Sequence, residues 1–159
     1  MKIGIISDTH NRLNPKIFKI FEGLPIIIHA GDVGHSHILI ELTAIPGVEQ
    51  VYAVLGNTDD PWELSGVPTE ITLTLGNYAI LVRHIVDSPE ELLQNLRRQK
   101  KEMPEMVIFG HTHQPYFQAM DSVYFLNPGS ASLPRQSPAP SVAILDLTQR
   151  PPQATFIYL

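Results

Sequence analysis

The stretch Lys2-Ile3-Gly4-Ile5-Ile6-Ser7-Asp8-Thr9-His10 decides how the chain is read. Lys2 to Ser7 is a short apolar run that breaks off at polar residues, the pattern of a strand buried on both faces. Asp8 and His10 follow directly beyond its carboxyl end. Open α/β sheets bind ligands beyond the carboxyl ends of their strands, so the other strand ends become the places to look.

Working outward, Ile26-Ile27-Ile28 is a second buried strand and leads to Gly31-Asp32. Val48 to Leu55 is a third and leads to Gly56-Asn57-Thr58-Asp59. Asn14 as N-cap with Pro15 at the first helical position opens a helix to about Glu22, which Gly23 stops. Ser36 caps a second helix carrying Ile38, Leu39, Leu42 and Ile45, ended by Pro46-Gly47. This βαβαβ order implies right-handed crossovers and a largely parallel sheet.

The pattern then changes. Ile71, Leu73 and Leu75 alternate with threonines, Gly76-Asn77 is a hairpin signal, and Tyr78 to His84 is the returning strand. Ser88-Pro89-Glu90-Glu91 has capping-box spacing and predicts a helix to about Lys101, whose basic end suits the helix dipole. Met106 to Phe109 is a strand running into Gly110-His111-Thr112-His113. Further strands are expected at Tyr116–Ala119, Val123–Leu126, Val142–Leu145 and Phe156–Tyr158, with a loop rich in Pro and Ser from Pro134 to Pro140. The expected fold is α/β: one domain over residues 1–159, parallel in its first half and antiparallel in its second, a two-sheet β-sandwich flanked by helices.

Composition narrows the chemistry. The chain has 159 residues, 43% of them hydrophobic, which suits one packed domain. Its formal net charge of −5 gives no global attraction for nucleic acid or an anionic membrane. Any phosphate-bearing substrate then needs a local positive centre, which bound metal cations can supply. Without cysteine, thiolate metal sites and disulfides are excluded, and metal ligands must be His, Asp, Glu or Asn. The N-terminal apolar run is too short for a signal peptide, and no segment approaches the ~20 apolar residues that span a bilayer. The expectation is a soluble cytoplasmic protein; the oligomeric state is not encoded in any visible pattern.

Five expected strand ends each deliver an imidazole, carboxylate or amide: Asp8 and His10, Asp32, Asn57, His84, and His111 with His113. These types suit Mn, Fe or Zn. In an extended backbone, residues i and i+2 point the same way, so Asp-x-His and His-x-His would each face one metal. Gly31, Gly56 and Gly110 would let the chain turn sharply just before the ligands. Singly, each residue has a plainer reading: Asp8 and Asp32 as helix caps, Asn57 as a left-handed turn residue, His84 as a satisfied core histidine. The ordered set favours a metal site.

This set resembles the calcineurin-like metallophosphoesterases, and the Gly56-Asn57-Thr58-Asp59 and Asn127-Pro128-Gly129-Ser130 segments are similar to the small bacterial and archaeal phosphodiesterases among them. The resemblance covers roughly Met1 to Leu145. It implies a metal-dependent phosphodiesterase acting on a small-molecule phosphodiester through two divalent ions (Mn, Fe, Zn or Ni, with Mn favoured). Asp8, His10 and His113 would hold one ion, Asn57, His84 and His111 the other, and Asp32 would bridge them. A hydroxide shared by the ions would attack phosphorus. The same resemblance carries an alternative, a protein-binding scaffold on this fold with weakened metal sites. Two departures stand out: Thr58 occupies the place of a leaving-group histidine, and His84-Ile85-Val86 replaces a His-Gly-His pattern.

Other residues are read as follows. Asn57, Thr58 and Arg12 are candidates to meet substrate, Arg12 being otherwise a surface residue. His29 either orients a ligand or bonds to backbone. His35 and His37 are rim residues, Trp62 a satellite core residue, and Asn127 to Ser130 a type II turn supporting the His111–His113 loop.

Overall fold

A computed structural model describes residues 1–135 and 137–159. In chain order the elements are β1 (Lys2–Ile6), α1 (Lys16–Phe21), β2 (Ile26–His29), α2 (His37–Thr43), β3 (Gln50–Ala53), β4 (Glu70–Leu75), β5 (Tyr78–Arg83), α3 (Pro89–Arg98), β6 (Met106–Ile108), β7 (Pro115–Met120), β8 (Val123–Pro128), β9 (Ser141–Asp146) and β10 (Gln153–Tyr158). They form two five-stranded sheets in a single domain, ordered β10-β9-β1-β2-β3 and β4-β5-β6-β8-β7.

Alternation along the strands builds the layers. In β1, Ile3 and Ile5 point into the space between the sheets, where they meet Ile28, Ile80, Val82, Ile108 and Leu145. Ile6 and Ile27 face the other way, against Ile17 and Phe21 of α1 and Ile38 and Leu42 of α2. Gly4 lies on that outer face, and a Cβ there would sit 3.0 Å from the Phe21 ring, so the missing side chain is what lets α1 press onto the sheet. On the second sheet's outer face, Leu92, Leu93 and Leu96 of α3 cover Leu81, Val107 and Phe125. The order of layers is helix, sheet, sheet, helix.

The parallel first half is as expected: β1 pairs with β2 and β2 with β3, all parallel. The second half is not simply antiparallel. β5 pairs with β6 and β6 with β8 in parallel, and only the outer strands β4 and β7 run against their neighbours. The reason is that α3 and then β7 carry the chain back across the sheet, so β5, β6 and β8 all enter from one end. β6, buried along its whole length, has the uninterrupted apolar character of a central parallel strand. β9 and β10 close the first sheet antiparallel to β1.

Local signals hold with three corrections. Ser88 accepts a hydrogen bond from the Glu91 N–H at 3.3 Å and caps α3, which ends at Arg98 rather than Lys101. Asn14 accepts from the Lys16 N–H at the start of α1. Ser36 does not cap α2; its hydroxyl donates to Glu63 Oε1 at 2.8 Å instead. The expected Asn127–Ser130 turn is also different. Asn127 and Pro128 continue β8, and the chain turns at Gly129, whose φ is +82° and whose N–H donates to Asn127 Oδ1. Of the expected Pro134–Pro140 loop, residue 136 lies outside the described residues. Among the described residues no helix is long and apolar enough to cross a membrane.

Replacing the Ser88 cap by alanine should lower stability by about 1 kcal/mol in urea unfolding. An unchanged midpoint would mean that the cap contributes nothing.

Candidate metal centre

The carboxyl ends of β1, β2, β3, β5 and β6 all open at one end of the two sheets, and the loops leaving them carry the seven residues singled out above. Their polar atoms converge. His113 Nε2 lies 3.1 Å from Asp8 Oδ1 and 3.4 Å from His10 Nε2. His10 Nε2 is 3.8 Å from Asp32 Oδ2, and His84 Nε2 is 3.4 Å from that same oxygen. His111 Nδ1 meets Asn57 Oδ1 at 2.9 Å, and its ring lies edge-on to His84 with centroids 5.4 Å apart. Among the described residues two overlapping groups have ligand atoms all within 4.8 Å of one another: Asp8, His10 and His113, and Asp8, Asp32 and His84. Asp8 belongs to both groups, while Asp32 Oδ2 stands between His10 and His84.

The backbone achieves this in a way the sequence reading did not anticipate. Asp8, His10, Asp32, His111 and His113 all have φ between +44° and +67°, in the left-handed region that side chains rarely adopt. The Asp-x-His and His-x-His segments are therefore curled rather than extended. One result is that His111 and His113 part company: the first turns toward Asn57 and His84, the second toward Asp8 and His10. Strain of this kind gathers at functional sites.

The glycines also act differently from expectation. Gly31 does need its freedom, with φ +95°, but Gly56 and Gly110 are not in the left-handed region. They are required by crowding. A Cβ on Gly56 would fall 2.0 Å from Asp32 Oδ1, and one on Gly110 would fall 2.8 Å from Asp8 Oδ2.

Hydrogen bonds fix which nitrogen of each ring faces the centre. His84 Nδ1 donates to the Ala30 carbonyl at 2.7 Å and His113 Nδ1 to the Leu133 carbonyl, leaving both Nε2 lone pairs aimed at carboxylates. Asp8 Oδ1 and His84 Nε2 are buried and find no well-directed hydrogen bond among the described residues, despite their short distances to His113 and Asp32. Acceptors facing acceptors in a buried site require a cation between them. Without a metal that cation is a proton. Burial disfavours a charged His84, but Asp32, the Ala30 carbonyl and Asp8 outweigh it and raise its pKa. Asp8 raises that of His113 against the opposing effect of burial. Burial pushes the Asp32 carboxyl up, yet His84 and the Thr58 N–H, 2.9 Å from Oδ1, prevail and hold it well below the usual carboxylate range. Carboxylate, imidazole and amide donors with directed lone pairs fit divalent metal ions.

Several contacts that support the site were not assigned from the sequence, although Asp59, Asn127 and Ser130 lie in segments singled out there. Asp59 accepts the Gly34 N–H at 2.7 Å with one oxygen and the Gly56 N–H at 2.8 Å with the other, clipping the Asp32 loop to the Asn57 loop. Ser130 and Ser132 both donate to the Asp8 carbonyl, at 2.9 and 3.0 Å. Asn127 donates to the Gly110 carbonyl at 2.7 Å and so does support the histidine loop. The Asn14-Pro15 and Ser88-Pro89-Glu90-Glu91 signals were local, whereas each of these contacts joins separate loops.

His29 is fully buried and bonds to backbone, the second of the two readings given for it. Its Nδ1 accepts the Gly31 N–H, so Nε2 carries the proton and donates to Thr9 Oγ1 at 3.0 Å, and Thr9 donates to the Val33 carbonyl at 2.8 Å. This chain ties the Asp8 loop to the Asp32 loop. Thr58 is exposed beside Asp32. Arg12 is exposed in a cleft with Ser132 that none of the seven residues lines. His35 lies 3.6 Å from Glu63, with His37 beside it, and neither joins the centre. Trp62 is not a satellite core residue: it is 91% exposed, because the loop anchors itself through Leu64 instead.

The family model of the calcineurin-like phosphoesterase superfamily domain matches residues 1–150. A probable metallophosphoesterase of Methanothermobacter thermautotrophicus is 33% identical over 151 residues, covering 91% of this chain and 85% of the relative. Among solved structures, an archaeal phosphodiesterase superposes with a TM-score of 0.78 at 25% identity, over 99% of this chain and 100% of the other. The vacuolar protein sorting 29 protein of Entamoeba histolytica, in complex with Zn2+, shares the fold with a TM-score of 0.72 at 21% identity, over 99% of each chain.

Burial lowers the His29 pKa from 6.5 to about 4, against raising contributions from Asp59 and Asp8. The unfolded chain takes up a proton between these values that the folded chain refuses. Stability is therefore full above pH 6.5 and falls as the pH drops toward 4. At about 1.4 kcal/mol per pH unit the whole window is worth about 3 kcal/mol. Urea unfolding of metal-free wild type and His29→Gln across this range should show a steeper acid loss in wild type; parallel curves would refute it. Separately, Gly56→Ala should displace Asp32 and weaken Mn2+ binding at least tenfold by calorimetry while the circular dichroism spectrum is kept.

Proposed function

The chain belongs to the calcineurin-like phosphoesterase superfamily, and from that premise we propose that this metallophosphoesterase is a phosphodiesterase with a dinuclear metal site. The observation that carries the reading is the meeting of two metal-ligand groups at the strand ends, with Asp8 Oδ1 and His84 Nε2 buried between them and without a well-directed hydrogen bond among the described residues. Asp8, His10 and His113 would hold one divalent ion, Asn57, His84 and His111 the other, and Asp32 would touch both. Bound there, two such ions supply a hydroxide nucleophile near neutral pH and offset charge on the phosphoryl oxygens. Mn is the ion favoured for this donor set.

The chain's own residues shape what can be hydrolysed. Thr58 stands exposed where substrate would arrive; its backbone N–H steadies Asp32, and its hydroxyl can donate a hydrogen bond to phosphate but is no acid near pH 7. Asp59 has both oxygens committed to backbone N–H groups, and His29 is sealed against Thr9. Neither can reach a departing oxygen. Esters whose leaving groups depart without a proton are therefore the better substrates. A diester carries one negative charge where a monoester carries up to two, which suits a centre flanked by few cations in a chain of net charge −5. The similarity to an archaeal phosphodiesterase supports the same choice.

A second reading, a protein-binding scaffold, draws on the shared fold with vacuolar protein sorting 29 and on the exposed Trp62 and Ile40. The complete donor set favours the enzyme.

With Mn2+ the protein should hydrolyse bis-p-nitrophenyl phosphate faster than p-nitrophenyl phosphate, and Asp32→Ala should remove both the activity and most of the bound metal. Two bound ions without turnover of any aryl diester would favour the scaffold. Rates over diesters of graded leaving-group pKa should fall as that pKa rises. Thr58→His should speed the poor leaving groups by ~10²-fold or more, the scale of general acid catalysis.

A further inference from the structure

Beside the metal centre, the loop after β3 and the ends of β4 and β5 enclose a cleft of about 240 Å³. Asn57 and His84 form its inner wall, so it is continuous with the site where the ester would react. Leu55 and Ile85 give it apolar sides, and Arg83 supplies a cation. An apolar cavity of about 150 Å³ holds a benzene ring. The cleft therefore has room for a small organic group together with a charged tail.

Arg83 is lightly held. Its one ion pair among the described residues is with Glu70, at 3.5 Å, with both side chains 37% exposed. Its Nε is buried without a hydrogen-bond partner among the described residues. Asp87 and Glu91 share a neighbouring cleft with it, yet neither comes within ion-pair distance. A guanidinium has five donors in a planar fork that matches carboxylate and phosphate oxygens. Most of that capacity is unspent here. The Arg12 cleft, by contrast, is lined by none of the seven metal-site residues.

We infer that this cleft is the subsite for one organic substituent of the diester, and that Arg83 selects substituents bearing a terminal anionic group, a carboxylate or a phosphate. The inference rests on the diesterase reading for its substrate, but binding can be measured without turnover. The probes are phosphinates, which have two P–C bonds and no ester to cleave: methyl(butyl)phosphinate, methyl(3-carboxypropyl)phosphinate and methyl(3-phosphonopropyl)phosphinate, the phosphonate standing in for phosphate, titrated by calorimetry into the Mn2+-loaded protein. Wild type should bind the two probes with charged tails at least tenfold more tightly than the butyl probe. The size of each preference separates carboxylate from phosphate as the preferred group. Arg83→Gln should lose the preference, and Arg83→Lys should keep part of it. Glu70→Gln should keep or enlarge it, since it frees the guanidinium.

Equal affinities in wild type would overturn the proposal, as would a preference that persists in Arg83→Gln. Loss of the preference in Glu70→Gln would also overturn it, because Arg83 would then matter only as Glu70's partner. The two readings fail separately. Turnover of bis-p-nitrophenyl phosphate with no charge preference removes the subsite alone. A charge preference without turnover removes the diesterase reading and leaves an anion-selective cleft.

Discussion

The fold is organised around a buried carboxylate. Asp8 is completely inaccessible, and an ionised carboxylate in such a place is tolerated only when its charge is answered. One oxygen is answered by the chain: the His111 N–H donates to Oδ2 at 3.2 Å, across the gap between the two sheets. The other, Oδ1, is left to His113, His10 and His84, none of which reaches it as a well-directed hydrogen bond. Neighbouring loops are arranged around Asp8 as a whole. Gly110 has no side chain because Asp8 and Ser7 occupy its space, and Ser130 and Ser132 grip the Asp8 carbonyl from the far side.

Holding several like-charged acceptors together opposes folding, and left-handed backbone at five ligand positions adds to the opposition. The compensation is spread over contacts between loops. Asp59 clips the Asn57 loop to the Asp32 loop, the His29–Thr9 pair clips the Asp32 loop to the Asp8 loop, and Asn127 fixes the histidine loop from behind. The hydrophobic layers beneath are continuous with these clips, since Ile5, Ile28, Val82 and Ile108 lie on the same strands that end in the ligands. The core sets the strand ends in place, and the polar clips set the side chains. A divalent ion held there would compete with protons for the Nε2 positions of His84 and His113 and would meet an arrangement already made.

This division explains what the sequence disclosed. The parallel first sheet, the Gly76-Asn77 hairpin and the Ser88 cap were readable because each depends on residues close together in the chain. The clustering of the candidate ligands was readable because strand ends are visible as apolar runs that stop. The parallel pairing of β6 with β8 was not, because it depends on where β7 carries the chain. Nor were the curled backbones: Asp and His look the same in a sequence whether φ is negative or +54°. Gly56 and Gly110 were noticed for the wrong reason, as turn residues rather than as vacated space. Trp62 was misplaced because an aromatic residue suggests burial, while the anchoring of its loop falls to Leu64.

Burial separates the residues that make the centre from those that surround it. Asp8, Asp32, His84 and His113 are buried and tied by backbone hydrogen bonds, so a change at any of them disturbs its neighbours. Thr58 and Arg12 are exposed, and Arg83 is half-buried with a single weak ion pair. On the proposed reading, a substitution at these positions would alter what approaches the phosphorus without altering the cluster that would hold the ions. Thr58 fits that pattern: its side chain is exposed, while its backbone N–H steadies Asp32, a duty any residue but proline can perform. On the proposed reading, the chemistry of attack would be locked into the strand ends, and the choice of leaving group and substituent would be carried by side chains that the fold does not need.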